Sequence, residues 1–130
     1  MARILVIDDD EFVRRPLRKI LEGAGYTVEE AAEGNAGLEI QRTRPCDLVI
    51  TDLFMPGKEG LATIRDLRRE FLAIKIIAIS GGVDMGLDLL PAAEVMGAVR
   101  TLSKPFERTG LLALVAELLS ADPPPPEGAA

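Results

Sequence analysis

Ile4-Leu5-Val6-Ile7-Asp8-Asp9-Asp10 decides how this chain is read. Four consecutive apolar residues suit a short strand covered on both faces, and the acidic triplet stops it abruptly. A second run, Leu48-Val49-Ile50-Thr51, ends the same way at Asp52. If the two runs are neighbours in one parallel sheet, their carboxylates meet at one end of it. Several carboxylates at one point repel one another, so such a cluster takes up protons or holds a cation.

Working outward from these runs, strand-like and helix-like segments alternate. Positions 11–24 place Val13, Leu17, Ile20, Leu21 and Ala24 on one helical face. Asp10 is placed to cap that helix, and Gly23 and Gly25 to stop it. Pro16 falls inside it and removes the bond to Phe12, which predicts a bend in the first turns. Residues 26–31 read as a strand and 34–43 as a helix weakened by Gly34 and Gly37. Residues 48–51 read as a third strand, and Met55-Pro56-Gly57 as a loop. Leu61, Ile64, Leu67 and Phe71 line the next helix. Residues 74–79 form a strand broken by Ser80-Gly81-Gly82. A helix follows within 87–96, where Pro91 is tolerated in a first turn. Residues 99–103 form the last strand, and Leu111, Val115 and Leu118 mark the last helix.

Five βα repeats in one short chain predict an α/β fold: a doubly wound parallel sheet with helices on both faces. The more polar runs, 26–31 and 99–103, fit the edges. That agrees with strand order 2-1-3-4-5, the flavodoxin-like (βα)5 arrangement. The domain is expected to span residues 1–120. The stretch Asp122-Pro123-Pro124-Pro125-Pro126 cannot continue a helix, so 121–130 is expected to be a Pro-rich flexible tail.

Composition narrows the chemistry. The chain has 130 residues, 48% hydrophobic and 28% charged, enough for one domain with its own core. A net charge of -6 argues against a direct nucleic-acid interface. No apolar run approaches a membrane span, and Met1-Ala2-Arg3 leads straight into a strand pattern with no signal peptide. A cytoplasmic protein is the expectation. The single cysteine, Cys46, reads as a small buried or half-buried residue rather than half of a disulfide. There is no histidine, which excludes a Ser-His-Asp triad within the chain and the common zinc sites. Carboxylates, Lys, Ser and a metal ion remain.

In an open α/β sheet, ligands bind beyond the carboxyl ends of the strands at the point where the winding reverses, here between strands one and three. Asp8, Asp9 and Asp52 lie at such ends, Ser80 follows strand four and Lys104 follows strand five. Mg2+ takes one or two carboxylates and completes its shell with water and phosphate oxygens. A carboxylate can attack phosphorus and become an aspartyl phosphate. The incoming group then needs cations and hydrogen-bond donors around it, which Lys104 and Ser80 supply. Taken singly, each piece has a plainer meaning: a solvated helix cap, a turn, a loop, a surface lysine. Arg14, Arg15, Arg18, Lys19, Arg65, Arg68 and Arg69 read as solvated helix faces, and Thr63 and Thr109 as surface or cap residues.

Jointly, the pieces point further. Ile4 to Asp10, Asp52-Leu53-Phe54-Met55-Pro56-Gly57 with Gly60-Leu61, Ile79-Ser80-Gly81, and Ser103-Lys104-Pro105-Phe106 occur in order at successive strand ends. The chain resembles a receiver domain of the two-component response-regulator family over Arg3 to Leu119, chemotaxis-regulator-like and with no output domain in this sequence. Met1 favours an intact start, and the proline tail leaves the other end open. The resemblance implies that Asp52 accepts a phosphoryl group from a histidine kinase phosphohistidine. It implies that Asp9 binds Mg2+ directly, Asp8 through water or weakly, and the Phe54 carbonyl as a further ligand. Lys104 would pair with the phosphoryl group or with Asp52, and Ser80 would move to bond a phosphoryl oxygen. The Lys104-Pro105 bond is expected to be cis. The surface of the fourth helix, fifth strand and fifth helix would then change partner. A sensor histidine kinase or phosphotransfer protein and an unknown downstream protein are the implied partners. The chain would be a monomer or weak dimer with no membrane insertion. It would be no enzyme beyond its own phosphorylation and dephosphorylation.

Two departures qualify the pattern. Many receivers carry a ring where this chain has Thr101, which is too small for a swinging aromatic gate, so with Ser80, Thr101 and Lys104 as the switch set either the domain switches by moving the loop after Ser80 and the following helix, or its switch is weak. The bulk of Phe54 predicts hindered attack by water on the phosphoryl group and slow self-dephosphorylation. The rival from another class is a small Mg2+-dependent phosphatase of the haloacid dehalogenase type. Its nucleophile, here Asp8, would end the first strand in an Asp-x-Asp pattern followed by Thr or Val; in this chain Phe12 and Val13 follow Glu11, and the later carboxylate pair of that type is not found. A flavin carrier of flavodoxin type would need a hydroxyl- and glycine-rich loop in place of Asp8 to Asp10.

Overall fold

The structure is a computed structural model that describes residues 2–53, 60–80, 100–103 and 107–120, with only the backbone of Ser80 and Ser103. Its elements run in chain order β1 (Arg3–Ile7), α1 (Glu11–Gly23), β2 (Thr27–Ala31), α2 (Gly34–Thr43), β3 (Leu48–Asp52), α3 (Gly60–Glu70), β4 (Lys75–Ser80), β5 (Arg100–Ser103) and α4 (Arg108–Ser120). All strand pairings are parallel, and the sheet order is β2-β1-β3-β4-β5. The more polar runs do take the two edges. The helix expected within 87–96, the loop at Met55, the Lys104-Pro105 bond and the tail 121–130 lie outside the described residues.

The period-two alternation of the strands divides the core into two layers. Leu5, Ile7, Val49, Ile76 and Ala78 point to one face, where Leu38 of α2 and Ile64 and Leu67 of α3 cover them. Ile4, Val6, Leu48, Ile50, Ile77 and Ile79 point to the other, under Leu17 and Leu21 of α1 and Leu111, Val115 and Leu118 of α4. Cys46 is buried between α2 and β3, and burial pushes its thiol up to about 11. Buried Gln41 clamps the backbone of the same residue, donating to its carbonyl and accepting from its N–H. Lys75, at the start of β4, donates to the carbonyl of Leu118 in the last turn of α4, where a cation complements the helix dipole.

Local signals explain the ends of α1. Asp10 Oδ1 accepts from the Phe12 N–H at 2.8 Å, capping the helix as its position predicts. At the other end the Gly25 N–H bonds the Glu22 carbonyl and the Tyr26 N–H bonds the Leu21 carbonyl, with Gly25 at φ 98°. These paired bonds satisfy carbonyls that would otherwise be orphaned. The helix continues through Pro16, which is exposed on the same side as Phe12, so water can replace the missing bond. Thr63 departs from its expected surface place: it is fully buried in α3, beside the equally buried Ile64.

The left-handed conformation at Gly25 costs an L-residue roughly 1–2 kcal/mol. Gly25→Ala is therefore expected to lower the urea unfolding free energy by about that amount; an unchanged midpoint would contradict the assigned helix stop.

Candidate functional site

Strand register builds the site. Ile7 of β1 lies opposite Thr51 of β3, so the residues that follow, Asp8 and Asp52, leave adjacent strands side by side. Asp8 is 2% exposed and Asp52 7%, whereas Asp9 is open to solvent. Carboxylate oxygens of Asp8, Asp9 and Asp52 all come within 4.8 Å of one another. An all-oxygen, triply acidic set with one open side matches what a hard divalent cation takes. It does not match a soft or imidazole-preferring metal. The donor set thus fits Mg2+.

The loop after β1 is tied at several points. The Asp8 N–H bonds the Ala31 carbonyl of β2 at 3.1 Å, and Asp8 Oδ1 accepts from the Asp10 N–H at 2.9 Å. The Asp8 carbonyl accepts from Arg14 Nη1 at 2.8 Å. Arg14 departs from the solvated helix face that its spacing suggests. Its side chain is only 16% exposed, and its Nε meets Glu30 Oε1 of β2 at 2.7 Å. The other Glu30 oxygen takes Arg18 Nη1, also at 2.7 Å. Partial burial alone would raise the Glu30 carboxyl, but hydrogen bonds from Arg18 and Arg14 outweigh it and hold the group below the ordinary carboxylate range. Arg15, Lys19, Arg65 and Arg69 are exposed as expected, as is Thr109. Arg68 is partly buried, which lowers its guanidinium, and it donates to the Leu72 carbonyl.

Beyond Asp52 the chain turns sharply. The Leu53 N–H bonds the Ile79 carbonyl of β4, and the Leu53 carbonyl receives the Gly60 N–H that opens α3. A Cβ on Gly60 would lie 2.3 Å from the Asp52 carbonyl oxygen and 2.5 Å from the Leu53 Cα. Only a glycine lets α3 start this close to the end of β3.

Of the other expected site residues, Ser80 ends β4 and pairs in register with Ser103 of β5, one step beyond the pairing of Asp52 with Ile79. Thr101 sits half-buried in β5, opposite Ala78. Phe54, Gly81, Gly82, Lys104 and Pro105 lie outside the described residues. Sequence reasoning missed Arg14, Glu30 and the packing role of Gly60. A glycine eight residues after a strand-ending aspartate carried a usable signal; the Arg14–Glu30 contact, across sixteen residues, did not.

A parallel sheet in this order, with an acidic cluster where the winding reverses, belongs to the open α/β proteins that bind ligands at the carboxyl edge of the sheet. The chain belongs to the response regulator receiver domain family, whose model matches residues 4–116. The KDP operon transcriptional regulatory protein KdpE of Escherichia coli K12 is 40% identical over 106 residues, which is 82% of this chain and 46% of KdpE. The chain thus spans about half the length of that relative. A response regulator receiver domain protein from Clostridium thermocellum superposes with a TM-score of 0.84 at 29% identity, covering 92% of this chain and 95% of the other. The response regulator TrrA of Thermotoga maritima, solved in complex with Mg2+ and BeF, superposes at 0.79 with 30% identity, covering 91% and 99%. Neither the family match nor these neighbours support the phosphatase reading. Among the described residues no helix is long and apolar enough to cross a membrane.

Gly60→Ala forces a shift of backbone rather than of a side-chain tip. It is expected to cost about 1–3 kcal/mol in urea unfolding, with amide shift changes centred on Asp52 and Leu53. Wild-type stability and an unaltered spectrum at those two residues would contradict this packing.

Proposed function

We propose that this chain is a phosphorylation-dependent signalling switch in which Asp52 accepts a phosphoryl group from the phosphohistidine of a sensor histidine kinase or phosphotransfer protein. The carrying observation is the convergence of the Asp8, Asp9 and Asp52 carboxylates at the carboxyl edge of the sheet. In that step an Asp52 oxygen forms a bond to phosphorus as the bond from phosphorus to the donor imidazole nitrogen breaks, and the imidazole takes up a proton. Mg2+ held by Asp8, Asp9, Asp52 and the Phe54 carbonyl would offset the negative charge of the carboxylates and of the transferring group.

The remaining work falls to the chain. Burial of Asp52 at the end of a fully covered strand fixes the direction of its carboxylate, so little reorganisation is needed on attack. Asp8, tied to β2 and α1 by its main chain, keeps its acidic group beside Asp52. Exposed Asp9 leaves the open side through which the donor approaches. Lys104 would donate to the phosphoryl oxygens, and Ser80 would bond one of them and carry the change outward. With Thr101 in place of a ring, the response would pass through the segment after Ser80 and through the surface that includes β5 and the last helix. The domain would span 1–120 with 121–130 as a flexible tail. The chain would act in the cytoplasm as a monomer or weak dimer, without contacting nucleic acid directly. It would catalyse nothing beyond its own modification.

Asp52→Asn is expected to take up no phosphoryl group from acetyl phosphate with Mg2+, while the wild type gains one per chain by intact-mass measurement. Circular dichroism should show the same fold in both. Stable labelling of the Asp52→Asn variant would refute the assigned acceptor, and repeated turnover with Asp8 modified would favour the phosphatase.

A further inference from the structure

The Arg14–Glu30 pair lies outside the carboxylate cluster yet is joined to it through the backbone. Asp8 has its N–H on the Ala31 carbonyl, its carbonyl on Arg14 Nη1 and its Oδ1 on the Asp10 N–H. The Arg14 guanidinium uses its fork to reach two elements at once, Glu30 of β2 through Nε and the Asp8 carbonyl through Nη1. Glu30 is held in turn by Arg18, which also bonds Glu22 one helical turn on. The loop that carries Asp8 and Asp9 is therefore braced between β2 and α1 before any ligand arrives.

We propose that Arg14, anchored by Glu30, is a positioning residue for the divalent-cation site: it fixes the Asp8 main chain and so sets the spacing of the Asp8 and Asp9 carboxylates against Asp52. The proposal rests on the reading of that cluster as a Mg2+ site. Partners of this outer kind orient the groups that touch a metal, and their loss commonly costs 10-fold or more in affinity. A competing effect has the opposite sign. A cationic side chain near a cation site repels the ion, so its removal should tighten binding. Glu30 and Glu22 together offset the charges of Arg14 and Arg18, so the geometric effect dominates.

Arg14→Lys separates the two effects, because it keeps the charge but loses the fork. Amide-shift titrations with Mg2+ alone would compare wild type, Arg14→Ala, Arg14→Lys, Glu30→Gln and, as a control, Arg42→Ala, which breaks the remote α2–α3 pair with Glu70. Both Arg14 variants are expected to bind Mg2+ about 10-fold more weakly, Glu30→Gln to fall between, and Arg42→Ala to match wild type. In metal-free protein, amide exchange at Asp8 to Asp10 should quicken in both Arg14 variants while the β3 amides keep their protection. Arg14→Ala binding Mg2+ as tightly as wild type, or more tightly, would overturn the positioning role alone. Failure of the wild type to bind Mg2+ would remove the site reading itself and the proposal with it.

Discussion

Repulsion between two buried carboxylates is the constraint around which this molecule is organised. Asp8 and Asp52 leave neighbouring strands side by side because Ile7 and Thr51 are in register, and both are nearly covered. Their carboxylate oxygens come within 4.8 Å of each other, so keeping both ionised there calls for positive charge or hydrogen bonds to offset them. The fold holds them there through backbone geometry rather than mutual attraction: the parallel ladder, the ties on the Asp8 main chain and the close start of α3 at Gly60. A site built this way favours a cation that offsets its charge.

The same covered sheet that makes the site costly also makes it rigid. Apolar side chains from β1, β3 and β4 are packed from both faces, by α2 and α3 on one and by α1 and α4 on the other. Close-packed interiors do not deform smoothly. The strand ends are thus fixed supports for the residues that leave them, Asp8 and Asp52 among them.

Much of this was legible in the residues. Continuous apolar runs gave β1, β3 and β4, and helical spacing gave α1, α3 and α4. Polar composition put β2 and β5 at the edges. Even α2, weak by propensity because of Gly34 and Gly37, formed where the spacing placed it. There the small residue has a use, since a Cβ on Gly37 would lie 2.4 Å from Ile7 Cδ1. The acidic cluster followed once the strands were taken as parallel neighbours. What escaped was long-range polar packing. Arg14 looks like any charged helix residue until Glu30 on another element is seen to hold it, and Thr63 looks like a surface residue until its face of α3 is known. A charge or hydroxyl carries no mark of its partner in the local pattern, whereas an apolar stripe carries its own.

Asp8, Asp9 and Asp52 are proposed to act together as one cation site. Paramagnetic Mn2+, an oxygen-preferring stand-in for Mg2+, added below stoichiometry to protein labelled with 13C at its side-chain carboxyls, tests this directly. The Asp8, Asp9 and Asp52 resonances are expected to broaden first and together. Broadening spread over surface groups such as Glu11, Glu39 and Glu117, with those three aspartates no more affected than the rest, would contradict it.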